Sequence, residues 1–250
     1  SLIVHSVNRF IFTVQNGIWH DPATWSGGVV PHAANSDSIV VAHSVTANQS
    51  VEVDQATITG VLTIPTGVTL TIVSGGRTGL TLTTGTLVVQ GTVVCSDGTA
   101  LQGTSTTNTS FEAGSRYSHR SQAEGVVPLA SWSPASTFEV TGFVGYVSFA
   151  SANWEQSFGH FVYDCTAQGL FVEGNGRLRS VQGDLIIRST NNNYLRFGAT
   201  RDYVLDVGGD VHVTGASQLW FNSSAEVTVR VGGDFNFEST ATAASYFSLG

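Results

Sequence analysis

Asp184, Asp210 and Asp234 each follow a glycine and precede a short apolar run, in VQGDLIIRS, VGGDVHVTG and VGGDFNFES. Carboxylates gathered on one face can do two kinds of chemistry. A pair across a groove can cleave a glycosidic bond, one as acid and the other as base or nucleophile. A cluster can instead hold a hard cation such as calcium. A second group of reactive types, Arg116, Tyr117, His119 and Arg120 with Trp132 nearby, offers a base, a proton donor and positive charge. Polysaccharide lyases use such a set beside a charge-neutralising group. All ten basic residues are arginine, which removes lysine-based versions of that chemistry. His20, His32 and His43 match no zinc spacing, and no phosphate loop, dinucleotide fingerprint or Ser-His-Asp arrangement is visible.

The shared position of the three aspartates favours a corner role over catalysis. Gly183, Gly209 and Gly233 before them supply the positive φ that sharp corners need. Each Asp then hydrogen-bonds to the backbone two residues on and fixes the turn. Stacked carboxylates repel, so the ladder needs hydrogen bonds, staggering, arginines or a cation. The calcium nonapeptide reads Gly-Gly-x-Gly-x-Asp, a spacing these segments lack. No cofactor is expected, with calcium the one candidate.

The elements that position these residues repeat. The Val-x-Gly-Asp units start at Val181, Val207 and Val231, at nearly equal intervals, and VVQGTVVCS from Val88 is a more distant copy with Thr92 in place of Asp. Between them lie short β-branched strands with no helical period. A repeat of this length with Gly corners signals a solenoid. The expected fold is all-β: a right-handed parallel β-helix, each repeat one coil, coils stacked about 4.8 Å apart. Residues 56–250 form this helix, and residues 1–55 form an N-terminal cap with the first coils. Residues 105–142 break the rhythm with Pro128 and Pro134 and read as a coil carrying a protruding loop. Arg116, Tyr117, His119, Arg120 and Trp132 are its candidate ligand residues.

Charged residues make up 11% of the chain and the net charge is −8. No basic stripe is available to neutralise phosphates, so nucleic-acid binding is excluded. No apolar run approaches the roughly 18 residues of a membrane helix, so direct insertion is not expected. The first residues carry no visible signal peptide, as in a mature secreted product or, equally, a trimmed piece of a longer chain. Cys95 and Cys165 read as two buried small side chains, with a disulfide as the alternative.

The opening, GIWHDPATWSGGVVP, sets Trp19 and Trp25 around an Asp21-Pro22 turn and closes at Pro31. A solenoid end exposes unpaired backbone and an open bore, and needs an atypical cap. Trp19, Asp21, Trp25 and Pro31 suit one; a sugar-stacking platform is the alternative. No cap signature appears in the final ASYFSLG, so the chain is expected to continue there or to meet a neighbouring subunit.

The order of Trp19, Asp21, Thr24, Trp25, Gly28, Pro31, Asp37 and Ile39 resembles the opening of the eight-glycine β domain. It is still more similar to large secreted repeat proteins of gliding bacteria exported by the type IX system. Tyr117, His119, Pro128, Trp132, Ser136, Thr137, Thr141 and Gly142, then Gln156 to Phe161 and Cys165, resemble later segments of the same proteins. The resemblance implies a β-solenoid at the cell surface, part of a longer polypeptide, without a defined catalytic activity. The expected function is a noncatalytic extracellular structural or adhesive segment of a bacterial surface or fibre-forming protein, with glycans as candidate partners. The alternative is a carbohydrate-binding or lyase-like domain acting through residues 105–142.

Overall fold

The structure, a computed structural model, describes residues 9–73, 79–96, 101–198, 202–221, 226–241 and the backbone of 247–248. The first eight residues and most of ASYFSLG, on which expectations about the two ends fall, lie outside the described residues. The chain is a parallel β-helix. Among the described residues its longest sheet has nine strands, from Val51–Val53 at one end to Phe235–Phe237 at the other.

Alternation sets which side chains face the bore. In the nine-strand sheet Leu70 pairs with Val93, Val93 with Tyr117, Tyr117 with Phe138, Phe138 with Phe161, Phe161 with Leu185, and Leu185 with Val211. All seven are 0% exposed. A second inward column runs Ile72, Cys95, His119, Val140, Tyr163, Ile187 and Val213. Burying each apolar member stabilises by about 1.5–3 kcal/mol, against about 1 kcal/mol net for a backbone hydrogen bond. The bore, more than the ladder of backbone bonds, therefore holds the coils together. The register steps from Leu185 to Val211 and from Val211 to Phe235 repeat the intervals between Val181, Val207 and Val231, so one sequence repeat is one coil. Thr92 of the distant copy stands in register with Arg116 and Thr137 in this sheet, as expected for the same corner position.

The other faces change partway along. Strands Phe10–Phe12 to Leu101–Gln102 and Gly17–Ile18 to Ser131–Trp132 flank the long sheet first; strands from Val147–Ser148 and Ser157–Phe158 onward flank it later. The irregular region is narrower than expected. Residues 105–142 contain strands Thr109–Phe111, Arg116–His119, Ser131–Trp132 and Thr137–Val140, and the longest stretch without one is 120–130. Aromatic rings fill the bore at this change of faces: Phe111 and Trp132 stack at 4.2 Å, Phe149 and Trp154 at 3.9 Å, and Phe138 packs 4.5 Å from Phe158. The stack also crosses residue 55 unbroken, since Ile39–Val41 pairs with Ala56–Ile58.

Cys95 and Cys165 are both buried, and neither forms a disulfide among the described residues. Cys95 shares an inward column with Tyr163 three coils on, a separation of about 14 Å at one coil per 4.8 Å, and Cys165 lies two residues past Tyr163. A disulfide needs Cα atoms within about 7 Å, so the two cannot pair. Burial pushes the Cys165 thiol up to about 12. Both thiols are expected to resist a thiol-reactive dye in the folded protein and to react together once urea unfolds it.

Candidate functional surfaces

The Gly-Asp corners form a ladder, by a different mechanism from the one expected. Gly183, Gly209 and Gly233 are not among the residues with positive φ. Their missing side chains instead make room for the coil before. A Cβ on Gly209 would stand 2.2 Å from Asp184 Oδ1, one on Gly233 2.0 Å from Asp210 Oδ1, and one on Gly183 2.7 Å from His160 Nδ1. Through that gap each carboxylate reaches the backbone of the next coil. Asp210 N–H donates to Asp184 Oδ1 at 2.9 Å, and Asp234 N–H to Asp210 Oδ1 at 2.8 Å. His160 Nδ1 starts the series by accepting Asp184 N–H at 3.0 Å, which fixes its proton on Nε2. Aspartate thus caps the neighbouring coil and not its own turn. At Thr92 and Arg116 the same N–H goes to a carbonyl of the coil before, Val68 or Gly91.

Charge-assisted bonds are about twice as strong as neutral ones, but Asp210 is 40% exposed. Asp210→Ala is therefore expected to lower unfolding free energy by about 1 kcal/mol, with water taking over the Asp234 N–H. Asp210→Asn, which keeps an acceptor oxygen, is expected to lose less; urea titration measures both. Among the described residues no group of three or more His, Cys, Asp or Glu is placed to hold a metal. His20, His32 and His43 each engage a different neighbour: Asn48, Ala34 N–H and Thr13.

The expected ligand cluster does not converge on the surface. Arg116, Tyr117 and His119 lie on one strand whose residues alternate, so Arg116 is exposed while Tyr117 and His119 are fully buried. Arg116 bonds Glu139 at 2.8 Å, and Arg120, also exposed, reaches Ser118 Oγ at 3.4 Å. His119 Nε2 donates to the Glu124 carbonyl at 2.7 Å, leaving Nδ1 to face the Tyr117 hydroxyl at 3.4 Å. Burial lowers His119 to about 4 and raises Tyr117. Trp132 is buried too, donating to Gln156 Oε1 at 2.7 Å. Tyr117, His119 and Trp132 are bore residues that tie down residues 120–130 and the coil after. A polymeric substrate has no route to them.

The opening segment is also packed inward. Trp19 and Trp25 are 1% and 2% exposed and meet edge to face at 4.9 Å. Trp19 Nε1 donates to Pro31 O at 3.1 Å, Trp25 Nε1 to Trp19 O at 2.6 Å, and Asp21 Oδ1 accepts from Ala23 N–H. Gly17–Ile18 pairs with Ser44–Thr46, and Ala33 N–H, two residues past Pro31, donates to Glu52 O on Val51–Val53, the end strand of the long sheet. Buried faces leave neither tryptophan as a sugar-stacking platform.

One outward surface carries no motif in the sequence. On the sheet of Val147–Ser148, Val172–Glu173, Tyr194–Arg196 and Gln218–Trp220, Val147, Val172, Leu195 and Leu219 face the bore. Outside, Phe171 stacks on Tyr194 at 4.9 Å and Tyr194 on Trp220 at 4.2 Å, while Tyr146 meets Phe171 at 5.0 Å and 69°. Tyr146 and Leu170, the residue before Phe171, are 53% and 52% exposed. Beside this row Arg196 Nε and Nη2 clamp both oxygens of Glu173, at 2.6 and 2.5 Å. Burial, then the Glu173 charge, raises Tyr194. Phe171 follows Tyr146, and Tyr194 follows Phe171, by a single coil length, whereas Trp220 stands two residues past Gln218, the residue in register with Tyr194; that approximate spacing was the signal available in the chain. Comparison with protein-family models, curated proteins and solved structures finds no match to this chain.

Proposed function

We propose that the chain is a noncatalytic, extracellular structural or adhesive segment of a bacterial cell-surface or fibre-forming protein. The corner ladder carries this reading. Coils locked by carboxylate-to-backbone bonds over a filled bore make a stiff rod, a shape suited to holding a surface away from a cell. Trp19, Asp21, Trp25 and Pro31, packed at the first coils, would serve as its cap and keep other strand edges from pairing with the end of the stack. Among the described residues Phe235–Phe237 is the opposite edge of the long sheet, with Asp234 exposed before it; a further coil of the chain or a neighbouring subunit would pair there. The resemblance to type IX-exported repeat proteins and the low charge density are consistent with this setting.

The test is made in the native host with an epitope inserted at exposed Gly27, whose surroundings are open. Antibody labelling of intact cells or of shed fibres is the expected result. Label reached only after lysis would contradict the location. Release of unsaturated sugars from acidic polysaccharides, followed by absorbance, would contradict the noncatalytic role.

A further inference from the structure

We propose that the aromatic face of the later coils, centred on Tyr146, Tyr194 and Arg196, is a binding site for a neutral glycan chain lying along the solenoid axis. The inference deepens the adhesive half of the proposed function and moves its glycan contact away from residues 105–142, whose aromatic rings are buried.

Three observations define the occupant. First, the face is apolar yet tipped with polar atoms: Tyr146 and Tyr194 carry hydroxyls on ring bodies stacked with or beside Phe171. Rigid amphipathic rings of this kind give contact area at low entropic cost. Second, the charge is cancelled locally. The Glu173 carboxylate is 7% exposed and clamped by Arg196, itself 35% exposed, so the pair presents a fixed fork rather than a net charge. Nη1 of Arg196 stays outside that fork. A neutral ligand rich in hydroxyls suits such a surface; a phosphate or polyuronate gains little from an arginine already neutralised. Third, Tyr146, Phe171 and Tyr194 stand in register on successive coils, about 4.8 Å apart, close to the repeat of one sugar in an extended chain. The inner rings cover one another's faces and offer edges. Tyr146, turned 69° to Phe171 and half exposed, offers ring surface for a sugar to stack on. A pyranose meets these demands with apolar C–H faces and hydroxyls at its rim.

Affinity electrophoresis in native gels containing hydroxyethyl cellulose or soluble xylan tests the proposal, with alginate and polygalacturonate as acidic comparators. Retardation by a neutral polymer is expected, with binding about tenfold weaker for Tyr146→Ala, the loss of one stacked ring. Tyr146→Trp is expected to retain it, which separates a lost platform from a damaged fold. Mobility unchanged by both neutral polymers, retardation by the acidic ones alone, or equal binding by Tyr146→Ala would overturn the assignment. Surface labelling of cells is indifferent to all three results, so failure here leaves the rod's location and structural role standing.

Discussion

Gly208→Ala is expected to destabilise the solenoid by about 3 kcal/mol and Gly209→Ala by about 2 kcal/mol, although the two glycines are adjacent. The difference lies in what each added methyl group meets. On Gly208 it would stand 2.3 Å from the Gln182 carbonyl oxygen, backbone of the coil before, which can yield only by prising the coils apart. The Gly208 N–H bond to Val181 O, 2.8 Å long, would open with it. On Gly209 the nearest atom is Asp184 Oδ1 at 2.2 Å. That carboxylate can swing away, losing its bond to Asp210 N–H and some room against the Gly183 backbone, but leaving the stack intact. Gly27→Ala is the reference: φ is +68° but nothing lies within 4 Å, so only the local conformational cost remains, about 1 kcal/mol. Urea titration of the three variants orders them. Equal losses at 208, 209 and 27 would mean that backbone φ, not the approach of the previous coil, dictates these glycines.

Acidification from pH 7 toward pH 4 is expected to remove about 3 kcal/mol of stability through His119 alone. Its side chain is enclosed between Phe138, Phe143 and Trp154, with ring centres 5.9 to 6.3 Å away. Burial holds its folded-state pKa at about 4, below the ordinary 6.5. Between those values the unfolded chain binds the proton and the folded chain does not, so stability rises with pH. The contribution is complete above about 6.5 and lost as pH falls toward 4, about 2 kcal/mol of it by pH 5. His119→Phe keeps an aromatic ring in the column but forfeits the bond to the Glu124 carbonyl. Its stability at pH 7 is expected to fall while its slope between pH 7 and 5 flattens. Parallel slopes for the two proteins would place His119 in contact with solvent.

The repeat was legible because a solenoid writes its coil length into the chain. Val181, Val207 and Val231 are separated by the same intervals as the strands they introduce, and the Thr92 copy falls in the same sheet. The partner of each corner residue was not legible. A single segment such as VGGD shows its own turn; it cannot show that a carboxylate one coil earlier needs the space a side chain would fill. Prolines and polar residues around Tyr117, His119 and Trp132 point to a loop in the sequence alone. The structure makes them bore residues because strand alternation takes precedence over local polarity once neighbouring coils fix the register. The aromatic face was missed for the opposite reason. Tyr146, Phe171, Tyr194 and Trp220 sit in four dissimilar segments, and only their spacing relates them.

Amide hydrogen exchange at Asp210 and Asp234, resolved by NMR, tests most directly that consecutive coils are locked at their corners. Exchange as slow as that of the bore strands beside them is predicted for both amides, with Asp184→Ala accelerating Asp210 first. Exchange at the rate of the open Gly27–Gly28 turn, unaffected by Asp184→Ala, would contradict the locked ladder and the stiff rod built on it.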